Sequence, residues 1–196
     1  TLLPKRTEKY AQNKLVQRDI EFVREEMKKV NSVDDFMKNY RLLEKVLTAY
    51  GLEDEISKRG YIKKVLTSPI GDKKSLVNLV ADDRYRQMAT DLLFSTGSAA
   101  AKADSTLKKI EDRLIKVGVE KQLNEIAPGV RQAINFKELA GSGKIKNTYD
   151  LIANPLLKEV IFGARNYPDI LKAADVDALA KTIEKTVDVE RFKDPK

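Results

Sequence analysis

Five apolar residues, Val16, Ile20, Val23, Met27 and Val30, recur along a heavily charged stretch at steps of four and three. That spacing lays them on one face of an α-helix and persists through two heptads. The same steps return at Ala100, Ala103, Leu107, Ile110, Leu114 and Val117, then shift to Val119, Leu123 and Ile126 beyond Gly118. Runs that alternate apolar with polar residues, as a half-buried strand requires, are nearly absent. Glycine and proline number only nine and six, and most fall between periodic segments. The periodicity therefore predicts an all-α chain: a single multi-helix domain over 1–196 with eight to ten helices. Ser95-Thr96-Gly97-Ser98 is the clearest internal linker.

Local signals divide the chain further. A long helix is expected over 4–30, and Ser32 then serves as a new N-cap with Asp35 three residues on, close to a capping box. The next helix ends near Tyr50, where Gly51 suits a left-handed terminus. Helices are expected over 54–66, 75–81 and 83–94, and one long helix over 99–117 continues past Gly118. Pro128 suits the first turn of a helix reaching Ala140. The tail predicts helices near 148–153, 155–163, 168–173 and 175–187. The two long helices would form a spine for three capped helical pairs. Their apolar seams either close on each other as an antiparallel hairpin or present a groove to a partner helix. The second alternative makes Val16, Ile20, Val23, Met27, Leu107, Ile110, Leu114 and Val117 the candidate partner-binding residues.

Three segments align without gaps, beginning at Ser32, Ser75 and Asn147, at offsets of 43 and 72 residues. Each reads as a capped short helix, an Asn or Asp, and an amphipathic helix. Phe36, Leu79 and Leu151 share a column, as do Leu42, Tyr85 and Leu157, and Val46, Ala89 and Ile161. Asn154-Pro155 shows the physics: Asn caps, and Pro fills the first helical position. Internal duplication and chance similarity between amphipathic helices both account for the pattern.

Candidate chemistry is sparse. The chain has no cysteine, histidine or tryptophan, which removes thiolate nucleophiles, zinc ribbons and the commonest general base. An enzyme built here would run on Lys, Tyr and carboxylates. Ala140-Gly141-Ser142-Gly143-Lys144 resembles the end of a phosphate-binding loop, but Glu138 stands at the first-glycine position and Ile145 where Ser or Thr would hold magnesium. The pairs Glu25-Glu26, Asp34-Asp35, Asp82-Asp83 and Glu111-Asp112 are sequence neighbours, which point about 100° apart on a helix and cannot act as an opposed acid and base. No calcium loop is present. No catalytic residue, cofactor or metal is expected. Lys and Arg number 37 against 30 acidic residues, an excess that suggests nucleic acid as an alternative partner. Yet no three basic residues are consecutive, and both signs interleave as on solvated helix faces. No stretch is apolar enough for a membrane span. The first residue is Thr, so removal of a leader peptide remains open.

One resemblance supplies a setting. The segment Asp19-Ile20-Glu21-Phe22, the run from Lys28-Lys29-Val30-Asn31-Ser32 through Val33-Asp34-Asp35-Phe36, and Ala49-Tyr50-Gly51-Leu52-Glu53-Asp54 resemble a bacterial family of unknown molecular function. Its members are often encoded among flagellar genes and labelled flagellar or basal-body-associated. Asp83-Arg84-Tyr85, Gln122-Leu123, Gly129-Val130-Arg131, Thr148-Tyr149-Asp150-Leu151-Ile152-Ala153-Asn154-Pro155 and the closing Phe192-Lys193-Asp194-Pro195 extend it in order. Near Asp91-Leu92-Leu93-Phe94-Ser95 this chain turns polar sooner than similar sequences. The absent His and Cys, with no residue constellation suited to chemistry, make a non-enzymatic helical interaction protein the expected reading. The resemblance implies a role in flagellar assembly, structure or regulation. It implies a flagellar protein partner, and a place in the bacterial cytoplasm or flagellar basal body. It supplies no catalytic residues.

Overall fold

Capping side chains decide where several helices of this chain begin. The computed structural model describes residues 2–143 and 145–192, and among them the regular structure is helical, without strands. In order these are α1 (Leu2–Ala11), α2 (Lys14–Lys29), α3 (Val33–Lys38), α4 (Tyr40–Ala49), α5 (Arg59–Leu66), α6 (Leu76–Leu79), α7 (Asp83–Leu92), α8 (Ala99–Lys102), α9 (Asp104–Ile126), α10 (Val130–Ala140), α11 (Thr148–Ala153), α12 (Pro155–Ala164) and α13 (Val176–Glu184). Short 3-10 turns lie at Glu53–Lys58, Phe94–Thr96, Asp169–Ala173 and Val189–Phe192.

The described residues thus hold more helices than the periodicity predicts, for local reasons. Asn13 is extended and its side chain accepts from the Leu15 amide at 2.9 Å, so the expected helix over 4–30 becomes α1 and α2. Ala103 is extended and separates α8 from α9. The expected helix over 54–66 opens as a 3-10 turn before α5. Pro128 stands outside α10, whose N-cap is Gly129 at φ 92°, a left-handed conformation that favours glycine. Lys144 of the phosphate-loop lookalike and the closing Lys193-Asp194-Pro195 lie outside the described residues.

Packing divides the chain into two compact units, Thr1–Val119 and Glu120–Lys196, with the division inside α9. The expected linker at 95–98 falls within the first unit, where Gly97 at φ 115° leads from a 3-10 turn into α8. The first unit closes over Phe36, Leu42, Leu43, Val46, Leu47, Ile62, Met88, Leu92, Leu107 and Ile110. The second gathers Ile145, Leu151, Leu157, Ile161, Phe162, Leu179 and Ile183.

The threefold echo has a structural counterpart. Ser32 and Asn147 are both extended N-caps, and their side chains accept from the Asp35 and Asp150 amides at 3.1 Å. In each case a six-residue helix follows and stops at an extended Asn, Asn39 or Asn154, which caps the next helix. The correspondence runs on to the far end. Leu52 N donates to Leu47 O at 2.8 Å across left-handed Gly51, and Tyr167 N donates to Phe162 O at 3.0 Å across left-handed Asn166. Both are the six-to-one closure that ends a helix by satisfying an orphan carbonyl. The middle segment departs. The Ser75 hydroxyl donates to Pro69 O at 2.6 Å instead of capping, and α6 is only four residues long. Leu79, expected in the column of Phe36 and Leu151, is therefore 68% exposed, and Val77 and Val80 are buried in its place.

Candidate interaction groove

The seam residues come together, but inside the protein. Ile20, Val23 and Met27 of α2 and Leu107, Ile110 and Val117 of α9 are buried, and Val16 and Leu114 are half-buried. Polar ties join this side of the unit: Arg24 of α2 meets Glu111 of α9 at 3.0 Å, and Lys102 at the end of α8 donates to Asn31 beyond α2 at 2.8 Å. Ile20 and Val117 are thus buried and Val16 half-buried outside the core cluster of the first unit, whereas Val23, Met27, Leu107 and Ile110 belong to it, with Leu114 packed against it. Burying them removes apolar surface worth about 1.5–3 kcal/mol for each large side chain from water.

Polar clusters of the first unit act as staples. Asp91 of α7 accepts from Tyr50 Oη at 3.0 Å, Lys109 Nζ at 2.6 Å and Arg113 at 3.4 Å, and Arg113 also stacks over the Tyr50 ring at 4.6 Å. Burial, with the Asp91 charge beside it, pushes the Tyr50 phenol far above its usual range. Tyr85 is raised in the same way, by burial and by donating to Glu55 at 2.8 Å. Arg86 donates to the Val77 and Asn78 carbonyls at 3.2 and 3.1 Å, closing the C-terminus of α6. These phenols are held protonated and engaged, so neither is poised as a base. Among the described residues no group of three or more His, Cys, Asp or Glu is placed to hold a metal ion. No described helix is long and apolar enough to cross a membrane.

The second unit offers a different surface. A groove of about 710 Å³ runs between α10, α12 and the turn at Asp169–Ala173. Its lining includes three small residues, Gly129, Ala133 and Gly163, together with Val160. A Cβ at either glycine would meet nothing within 4 Å. Phe162 lies beneath, with Tyr167 edge-on at 5.5 Å and Lys158 and Lys172 each 5.8 Å from its ring centre. Gln132 donates to Glu159 at 3.0 Å on one side, and Lys172 pairs with Asp169 at 2.8 Å on the other. At the start of the unit, buried Glu120 accepts from Asn135 at 3.1 Å and lies 3.8 Å from Arg131 Nε, fixing α9 against α10. An open groove of mixed apolar and polar lining with charged rims suits a peptide or helix better than a small polar substrate. Periodicity could not reveal it, because its small residues belong to two helices whose pairing is tertiary.

A family profile described as "Protein of unknown function (DUF1217)" matches residues 49–196. The chain belongs to that family. A crystal structure of protein AGR_C_984 from Agrobacterium tumefaciens is similar at a TM-score of 0.78 and 32% identity, over 99% of this chain and 82% of that one. No curated protein matches the chain.

The DUF1217 match takes in Tyr50, the Asp91 staple, all of α9 and both helices of the groove. Helices α1 to α3 lie before it, and their similarity is to the Agrobacterium protein.

Proposed function

We propose that this DUF1217 protein is a non-enzymatic helical interaction protein of the bacterial flagellum, acting in its assembly, structure or regulation. Its groove between α10 and α12 receives an amphipathic helix of a flagellar component. The observation that carries the binding part is the groove itself, open over Gly129 and Gly163 and rimmed by Glu159, Asp169 and Lys172. Small residues let a helix approach closely, and the mixed rim favours a partner with both charges beside an apolar seam. The flagellar setting rests on the sequence resemblance. A nucleic-acid role draws less support, since Arg24, Lys45, Lys109 and Arg113 are each engaged by a carboxylate. The place of action follows the partner, in the bacterial cytoplasm or at the basal body.

The test is cross-linking and pull-down from motile cells with the native protein and with Ala133→Leu. Ala133 is an exposed α10 residue in the groove, and Leu keeps the helix while filling the channel. A flagellar component recovered with the native protein and lost with Ala133→Leu is expected. A deletion strain with normal motility, and no flagellar component recovered, would sink the reading.

A further inference from the structure

Helix α9 runs through the division between the two units, and Gly118 stands in its middle, one residue before that division is reached at Val119. Glycine is the poorest helix former after proline, so this is where the sequence of α9 is weakest. A Cβ at Gly118 would collide with Oη, Cζ and Cε1 of Tyr10. The phenol ring therefore fills the notch that the missing side chain leaves. Helical Gly60 and Gly163 show nothing comparable, with no atom within 4 Å of a Cβ.

Tyr10 comes from α1, a helix otherwise spread over the surface. Its Leu3, Pro4, Lys5, Arg6, Glu8 and Lys9 are exposed, while Tyr10 is half-buried. The break at Asn13 separates α1 from α2, giving α1 a joint about which to leave.

We infer that α1 is a detachable clasp: Tyr10, seated on Gly118, holds α9 helical where it passes from one unit to the next. With the clasp closed, the ring shields the backbone that glycine leaves bare. With α1 displaced, the Gly118 turn of α9 frays first, while the core of the first unit stays shut. The N-terminal helix thereby sets the stiffness of α9, and anything that takes up α1 loosens it.

Hydrogen exchange of the intact protein tests this, comparing a peptide over 114–124 with one over 40–50. In Tyr10→Ala, exchange at 116–121 is expected to accelerate about tenfold or more with α4 unchanged, as for a local opening. Adding Gly118→Ala to Tyr10→Ala should slow exchange again, because alanine strengthens the helix and no ring remains to obstruct it. Gly118→Ala alone should expel the ring and speed trypsin cleavage within α1 at Lys5 and Lys9. Three results would overturn the clasp: unchanged exchange in Tyr10→Ala, equal acceleration over 40–50, or no slowing in the double variant.

Discussion

Phe36 and Leu151 hold the same place in two aligned helix–cap–helix segments, and both are fully shielded from solvent. What shields them differs. Phe36 lies 5.4 Å from Phe94 inside a cluster that includes Leu42, Leu43, Leu47, Ile62, Met88 and Leu107, most of them at or near zero exposure. Around Leu151 the fully buried set is short, and it is completed by half-buried Phe136, Leu139, Tyr167, Leu171 and Phe192. Phe136 and Phe192 meet edge-on at 5.6 Å, as do Phe162 and Tyr167 at 5.5 Å. A shorter stretch of chain buries a smaller fraction of its surface. The same local device therefore yields a deep core in the first unit and a shallow, aromatic-edged one in the second. The shallow unit is also the one that keeps a groove open.

The largest expected effect separates the two directly. Leu42 and Leu157 share a repeat column and are 0% and 1% exposed. Truncation of either to Ala removes contacts worth about 2–5 kcal/mol. In the first unit that loss is absorbed, and Leu42→Ala lowers the urea midpoint while the unit stays folded. In the second it approaches the whole stability of so small a core, so Leu157→Ala unfolds the second unit, α10 included, and leaves α4 protected. Hydrogen exchange followed across the urea transition distinguishes the units. A single transition shifted equally by both variants would mean that they fold as one and that the contrast in core depth has no consequence.

This contrast shows what the sequence could carry. Caps were legible wherever one side chain decides a boundary, as at Ser32, Asn147 and Asn154, and the tail helices α11 and α12 follow their expected limits closely. The heptad seams were legible as helix faces. Whether a seam closes on its own chain or waits for a partner depends on what packs against it, and the burial of Met27 and Ile110 is decided by distant residues. Asn13 carries no clear boundary signal in the sequence, because its neighbours are good helix formers and only the capped Leu15 amide reveals the break. The division within α9 leaves no local mark either, since helix continuity is local and the partition of contacts is not. The groove and the Tyr10–Gly118 contact were hidden for the same reason.

Acid should sharpen the comparison by a smaller margin. Burial opposes ionisation of Glu55, but hydrogen bonds from Lys58 and Tyr85 outweigh it and hold the carboxyl below its ordinary 4.5. At Glu111 burial is likewise outweighed by Lys108 and Arg24, and at Asp19 by Lys45 and Arg41. A carboxyl whose folded pKa is depressed stabilises fully above its unfolded value and loses that contribution as pH falls through the folded one. All three belong to the first unit. Asp169 of the second unit is also lowered, but it is fully exposed beside Lys172, where screening leaves little to lose. The first unit's urea midpoint should thus be flat above about pH 5 and fall below the ordinary 4.5. A midpoint that stays level through that range would show that these ion pairs do not set the acid limit.

The smallest effect concerns the groove and has the opposite sign. Gly163 lies in the last turn of α12, and a Cβ there meets nothing within 4 Å. Neither steric crowding nor a left-handed backbone calls for glycine at this position, yet glycine costs a helix about 0.5–1 kcal/mol relative to alanine. Gly163→Ala should accordingly stabilise the second unit by roughly that amount, read as a higher urea midpoint for residues 145–192. Gly129 supplies the control, since its φ of 92° strains any side chain and Gly129→Ala should destabilise the same unit. If Gly163→Ala stabilises as expected and also weakens capture of the partner, the open backbone serves the groove at the expense of the helix. If it stabilises and capture is unchanged, the occupant seats nearer Ala133, and Ala133→Leu becomes the variant that locates it.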